Sequence, residues 1–139
     1  MLKEILFGGN GSNDKLGDAG LLVLRVFSGL AMAFSHGLGK VQNPGQIIEG
    51  AGKMGIPMPM VSGWLAILAE FLGGILLAMG LLTRPAAFLI AFTMGVAAFV
   101  AHGSDPFGKK EMALLYLGIM VLFLCTGAGR FSLDRLIKK

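Results

Sequence analysis

The chain has 139 residues, 55% hydrophobic and 14% charged, with a mean hydropathy of +0.75. Soluble domains carry roughly 25% charged residues, so these charges are too few to cover a water-exposed surface. The net charge of +4 is gathered at loops and tails, where it reads first as a membrane topology signal. With no recognised motif or long basic stripe, nucleic-acid binding is not expected.

In chain order, residues 1–18 form a polar Gly/Asn-rich tail with a short apolar start at Ile5 to Phe7, either interfacial or disordered. Residues 19–129 form one domain with four apolar runs, at about 19–38, 61–82, 85–101 and 112–128. Each is near the ~20 residues that span a bilayer core. Lipid offers the backbone no hydrogen bonds, so the runs must be helices. Arg25 in the middle of the first run argues against a cleaved signal peptide. Residues 130–139 form a basic tail.

The connections add detail. Thr83-Arg84-Pro85 reads as a tight helical hairpin, and Ser104 to Lys110 as a short loop. The long connection, Gly39 to Met60, holds Gln46-Ile47-Ile48-Glu49 and then Met54 to Met60 with two prolines. That pattern predicts a short helix on the membrane surface and a proline-set start to the second span. The fold class is therefore all-α, an integral membrane four-helix bundle with an interfacial helix in its first outer loop. Lys3, Lys15, Arg84, Arg130, Arg135, Lys138 and Lys139 fall on one side, and Lys40, Lys53, Lys109 and Lys110 on the other. The bias predicts both termini inside.

Ionisable residues in membrane helices are costly and mark candidate sites. At 100° per residue, Arg25, Ser28, Gly29, Met32, His36 and Lys40 share a face of the first helix. Glu70 shares one with Gly63, Ala66, Gly73 and Gly74; Ala91, Gly95, Ala98 and His102 line a third; Glu111, Gly118 and Cys125 a fourth. Small faces are where membrane helices meet, which predicts a shared polar interior. Side chains lean toward the helix N-terminus, so Arg25 leans inward and Glu70 outward, toward His36, His102 and Glu111. Cys125 reads as a buried packing residue; as the single cysteine it excludes an internal disulfide and CxxC chemistry.

Several readings of the outer cluster stand open. The residues could pair only for stability. Imidazole and carboxylate could exchange protons near neutral pH, as quinone chemistry requires. They could move a small solute. His36, His102 and a carboxylate are acceptable metal ligands, but no HxxxH or HxH spacing supports that, and no metal is expected.

One set of residues carries a resemblance: Leu24-Arg25 followed by Ser35-His36-Gly37 and Lys40; Ala69-Glu70-Phe71-Leu72-Gly73-Gly74 through Gly80-Leu81-Leu82-Thr83-Arg84; His102; Glu111; and Gly127-Ala128-Gly129-Arg130-Phe131-Ser132-Leu133-Asp134. In this order they resemble the DoxX family of bacterial and archaeal membrane proteins, across about residues 21–136. The resemblance implies a four-helix bundle in the cytoplasmic membrane and a loose link to respiratory or oxidative-stress chemistry. On this basis the expected function is a redox-associated membrane subunit, a quinone-linked oxidoreductase or oxidative-stress component. Glu70, His36 and His102 would handle protons or bind a quinone headgroup, Glu111 would tune the histidines, and Arg25 and Lys40 would hold a cofactor or lipid; the cofactor is left open, a quinone being one candidate. The expected partners are the bilayer and a redox subunit. The alternative is a non-catalytic scaffold for a redox partner, or a small-solute transporter.

Overall fold

The computed structural model describes residues 14–138, and all regular structure among them is helical. The apolar stub at Ile5 to Phe7 lies outside those residues. The helices are α1 (Lys15–Gln42), α2 (Pro44–Lys53), α3 (Pro59–Met79), α4 (Thr83–Ala101), α5 (Phe107–Thr126) and α6 (Leu133–Ile137). Asp14 caps α1 by accepting from the Gly17 amide at 2.9 Å. A short helix, α2, forms in the long connection, followed by a proline in the first turn of α3. Two stretches widen into π-helical turns: Met32–Gly37 within α1 and Ala97–Ala101 at the end of α4.

Three helices, α1, α3 and α4, are long and apolar enough to cross a membrane. The fourth, α5, has 20 residues, and its charges, Lys109, Lys110 and Glu111, fall near its start. Large side chains point outward: Phe27, Phe34, Phe88, Phe92 and Phe99 are all exposed. The interior instead holds small residues such as Ala33, Ala87 and Ala98, with Met32, Ile90 and Phe123 among them. A surface this apolar is made for lipid.

α3 packs against α1, α2 and α4, while α5 packs on α4. The α1–α3 crossing is main chain against main chain. A Cβ on Gly74 would sit 2.7 Å from the Gly29 carbonyl oxygen, and one on Gly37 would sit 2.6 Å from the Phe71 amide nitrogen. Gly63 likewise admits Ile48 of α2. Gly29 of the predicted α1 face and Gly63 and Gly74 of the predicted α3 face are therefore real contact positions, while Gly37, which the predicted face does not include, makes a further one.

The small-face argument fails on α5. Glu111, Gly118 and Cys125 are exposed, and the buried residues are Tyr116, Met120 and Phe123. Large side chains fill the gap between α5 and the bundle, so its small residues are left facing out. Cys125 is thus not a packing residue. On α4, Ala91 and Ala98 are buried as expected, but a Cβ on Gly95 would meet nothing within 4 Å.

The start of α1, the α3–α4 turn and the segment after α5 meet at one end of the bundle, here termed basal. Gly80 ends α3 at φ 69°, and Leu82 opens α4 at φ 50°, a left-handed conformation that leucine rarely adopts. Asp134 holds this turn: Oδ1 accepts from the Leu82 amide at 2.8 Å and Oδ2 from the Thr83 amide at 2.9 Å. Its own amide donates to the Gly80 carbonyl at 2.8 Å. Asp134 is therefore the N-terminal cap of α4, supplied from 51 residues away.

Burial alone would raise the Asp134 carboxyl, but the Thr83 and Leu82 amides, aided by Lys138, hold it below the ordinary carboxylate range. A carboxyl lowered by folding contributes its stability fully above its unfolded pKa and loses it as pH falls through the folded value. Acid titration of the melting temperature in detergent should therefore show a loss that begins below about pH 4. The variant Asp134→Asn should lack that component. At neutral pH it should be less stable by about 1 kcal/mol, the typical loss of a cap. An unchanged acid limb in the variant would remove Asp134 as its source.

Candidate functional site

The opposite, distal end carries the polar pair that the sequence singles out only in part. Glu70 lies on α3, 1% exposed, on the face with Gly63, Gly73 and Gly74. The close approach of Gly37 to Phe71 brings the last turn of α1 alongside it. There Lys40 Nζ donates to Glu70 Oε1 at 2.7 Å and Oε2 at 2.6 Å. The Lys40 side chain is 31% exposed, so the ammonium reaches in from the rim while the carboxylate is fully enclosed. This arrangement suits a lysine, whose long stem can lie in apolar surroundings.

His36 lies one turn before Lys40 on α1, inside the π-helical stretch. Its ring meets Tyr116 of α5 edge to face, with centroids 5.5 Å apart. The distal half thus carries two polar contacts, the Glu70–Lys40 pair between α3 and α1 and the His36–Tyr116 pair between α1 and α5, which bring a carboxylate, an ammonium, an imidazole and a phenol to this half. Together these can donate, accept and hold a proton.

His102 stands apart from that pair. Its Nδ1 donates to Asp105 Oδ2 at 2.7 Å in the loop after α4. This bond, chief among several effects, holds the Asp105 carboxyl below its ordinary value. Glu111 is exposed on α5. Arg25 is buried at the basal end, where its guanidinium donates to the Ala128 carbonyl and, at 2.8 Å, to the Phe131 carbonyl. Of the expected site residues, the structure joins Glu70 with Lys40 and sets His36, one turn before Lys40, against Tyr116 of α5. It leaves His102 and Glu111 toward the surface and uses Arg25 on the main chain.

Sequence reasoning passed over Tyr116 and Asp105. Tyr116 is the chain's single tyrosine, set in an apolar helix, and a buried tyrosine usually needs a polar partner. Asp105 stands three residues after His102, a local spacing that signals the pair.

These features define a class: a helical membrane protein whose interior encloses a carboxylate neutralised from the membrane rim. The DoxX family profile matches residues 20–103, and the chain belongs to the DoxX family. It is 36% identical over 111 residues to a Haemophilus influenzae protein, covering 74% of this chain and 80% of that one. It is 34% identical over 133 residues to the inner membrane protein YqjF of Escherichia coli, covering 90% and 97%. It is also 34% identical over 123 residues to CatD of Bacillus subtilis, covering 88% and 90%; that protein's name assigns it provisionally to the oxidoreductases. No solved structure matches the chain at a significant level. The chain is a protein of the inner, cytoplasmic membrane.

Proposed function

We propose that the chain is a redox-associated membrane subunit whose distal pair handles a proton or holds a quinone headgroup. Glu70 carries this reading. It is a carboxylate 1% exposed, on a helix that bears no other charged residue. Burying an ion inside a membrane helix is expensive and marks a functional site by default. His36 and Tyr116 supply neighbouring groups that can bond a quinone oxygen or pass a proton. The π-helical stretches at His36 and just before His102 agree with this, because such turns recur at functional sites. The likeness to CatD supports the redox part of the reading. The basal cations, including Arg84, Arg130, Arg135 and Lys138, favour placing that end in the cytoplasm.

The test is quinone extracted from purified protein, with partner-dependent turnover and thermal stability measured alongside. Glu70→Gln keeps the shape and removes the charge. It and His36→Ala should each leave a folded, inserted protein that has lost bound quinone or proton-coupled turnover. If Glu70→Gln lowers the melting temperature while activity per folded molecule stays unchanged, the site reading fails. The competing scaffold reading draws on Lys40 engaging both oxygens of Glu70. It requires redox-partner capture to survive both substitutions, with no quinone in the wild-type extract.

A further inference from the structure

At the basal end, the start of α1, the α3–α4 turn and the C-terminal segment enclose an open cleft of about 850 Å³. Its walls carry three carboxylates and four cations. Each carboxylate is already engaged. Asp14 caps α1, and Asp134 caps α4. Asp18 accepts from the Arg130 amide at 3.0 Å and faces its Nε at 3.6 Å. Three of the four cations are less committed. Arg84 makes one long bond, 3.3 Å, to the Cys125 carbonyl. The side chains of Arg135 and Lys138 form no hydrogen bond or ion pair among the described residues, and Lys138 acts on Asp134 only at longer range. The cleft therefore holds positive charge in excess.

Its surroundings are apolar. Leu82, Phe131, Leu136 and Ile137 are all exposed at this end. On α6, Leu133, Leu136 and Ile137 share one face, while Asp134, Arg135 and Lys138 occupy the other. A cationic cleft beside an exposed apolar face, at the end of a membrane bundle, matches the two halves of an anionic amphiphile. We infer that this cleft binds the phosphate headgroup of an anionic phospholipid, with the acyl chains lying along the apolar flank. The inference is independent of the redox reading, since it uses the opposite end of the bundle.

The test is titration of short-chain phosphatidylglycerol into the full chain in neutral detergent, with short-chain phosphatidylcholine and inorganic phosphate in parallel. The basal variant is Arg135→Gln with Lys138→Gln, because neither side chain supports the fold through a bond. Lys53→Gln with Lys109→Gln removes the same charge at the distal end. Wild type and the distal variant should bind phosphatidylglycerol equally. The basal variant should bind it roughly 10- to 30-fold more weakly, since each cation near the surface contributes about 1 kcal/mol. Equal affinity in wild type and basal variant would overturn the site. Phosphatidylcholine binding as tight as phosphatidylglycerol, or inorganic phosphate competing with the lipid on equal terms, would overturn the lipid assignment.

Discussion

Replacing Gly74 by alanine should lower the stability of the detergent-solubilised bundle by about 1–3 kcal/mol, and replacement by leucine should prevent folding. Both follow from one crossing. The space for a Gly74 side chain is occupied by main chain of α1, the Gly29 carbonyl oxygen at 2.7 Å and the Ala33 amide nitrogen at 2.8 Å. A flexible side chain could move aside, but helix backbone can yield only if α1 and α3 separate. Separation would also weaken the Gly37–Phe71 approach that brings Lys40 to Glu70. Gly95→Leu is the control. It lies on a face that also reads as small, but its added Cβ meets open space, so the leucine should be tolerated. Denaturation in mixed micelles of lipid and detergent would compare the three. Equal losses at Gly74 and Gly95 would refute the close crossing.

The second large effect is an asymmetry between the two partners of the distal pair. Lys40→Gln removes the ammonium and leaves the enclosed Glu70 carboxylate without its counter-charge. Breaking a buried pair in this way costs about 3–5 kcal/mol. Glu70→Gln leaves the charge on Lys40, whose side chain is 31% exposed and can turn toward the membrane rim. That loss should be nearer to about 1–2 kcal/mol, the value of a charged hydrogen bond. The double variant Lys40→Met with Glu70→Leu should recover most of the Lys40→Gln loss, because well-packed apolar residues often replace a buried pair without cost. Equal losses for the two single variants would mean that Glu70 is better hydrated than its burial indicates.

The faces of α1 and α3 were legible in the sequence because their contacts are made by glycine and alanine, whose spacing follows the helix period. Gly29, Gly63 and Gly74 sit where helices touch, as their spacing predicts, while Ala33 and Gly37 join the α1 contact from outside the predicted face. The same rule misread α5, because Tyr116, Met120 and Phe123 bridge a wider gap there. Small residues predict contact only where backbones approach closely, and sequence does not reveal that distance. By composition the apolar run stops near residue 38, whereas α1 continues to Gln42. That extra turn keeps Lys40 on the bundle and gives Glu70 a lysine partner in place of the expected histidines. Asp134 was legible only as part of a motif. Its role as a helix cap depends on a contact across 51 residues, which no local pattern encodes.

The basal contacts also fix an order of assembly. Arg25 lies on α1, yet its two carbonyl partners, Ala128 and Phe131, follow α5 in the chain and are synthesised after all four long helices among the described residues. Until they arrive, a guanidinium already committed to the membrane must keep its own water or lipid contacts. The α3–α4 turn waits as well, because the amides of Leu82 and Thr83 meet Asp134 only after the same segment is made. Insertion of the helices and closure of the bundle are thus separate events. The basal end closes only once residues 128–134 have emerged to bond Arg25, Leu82 and Thr83.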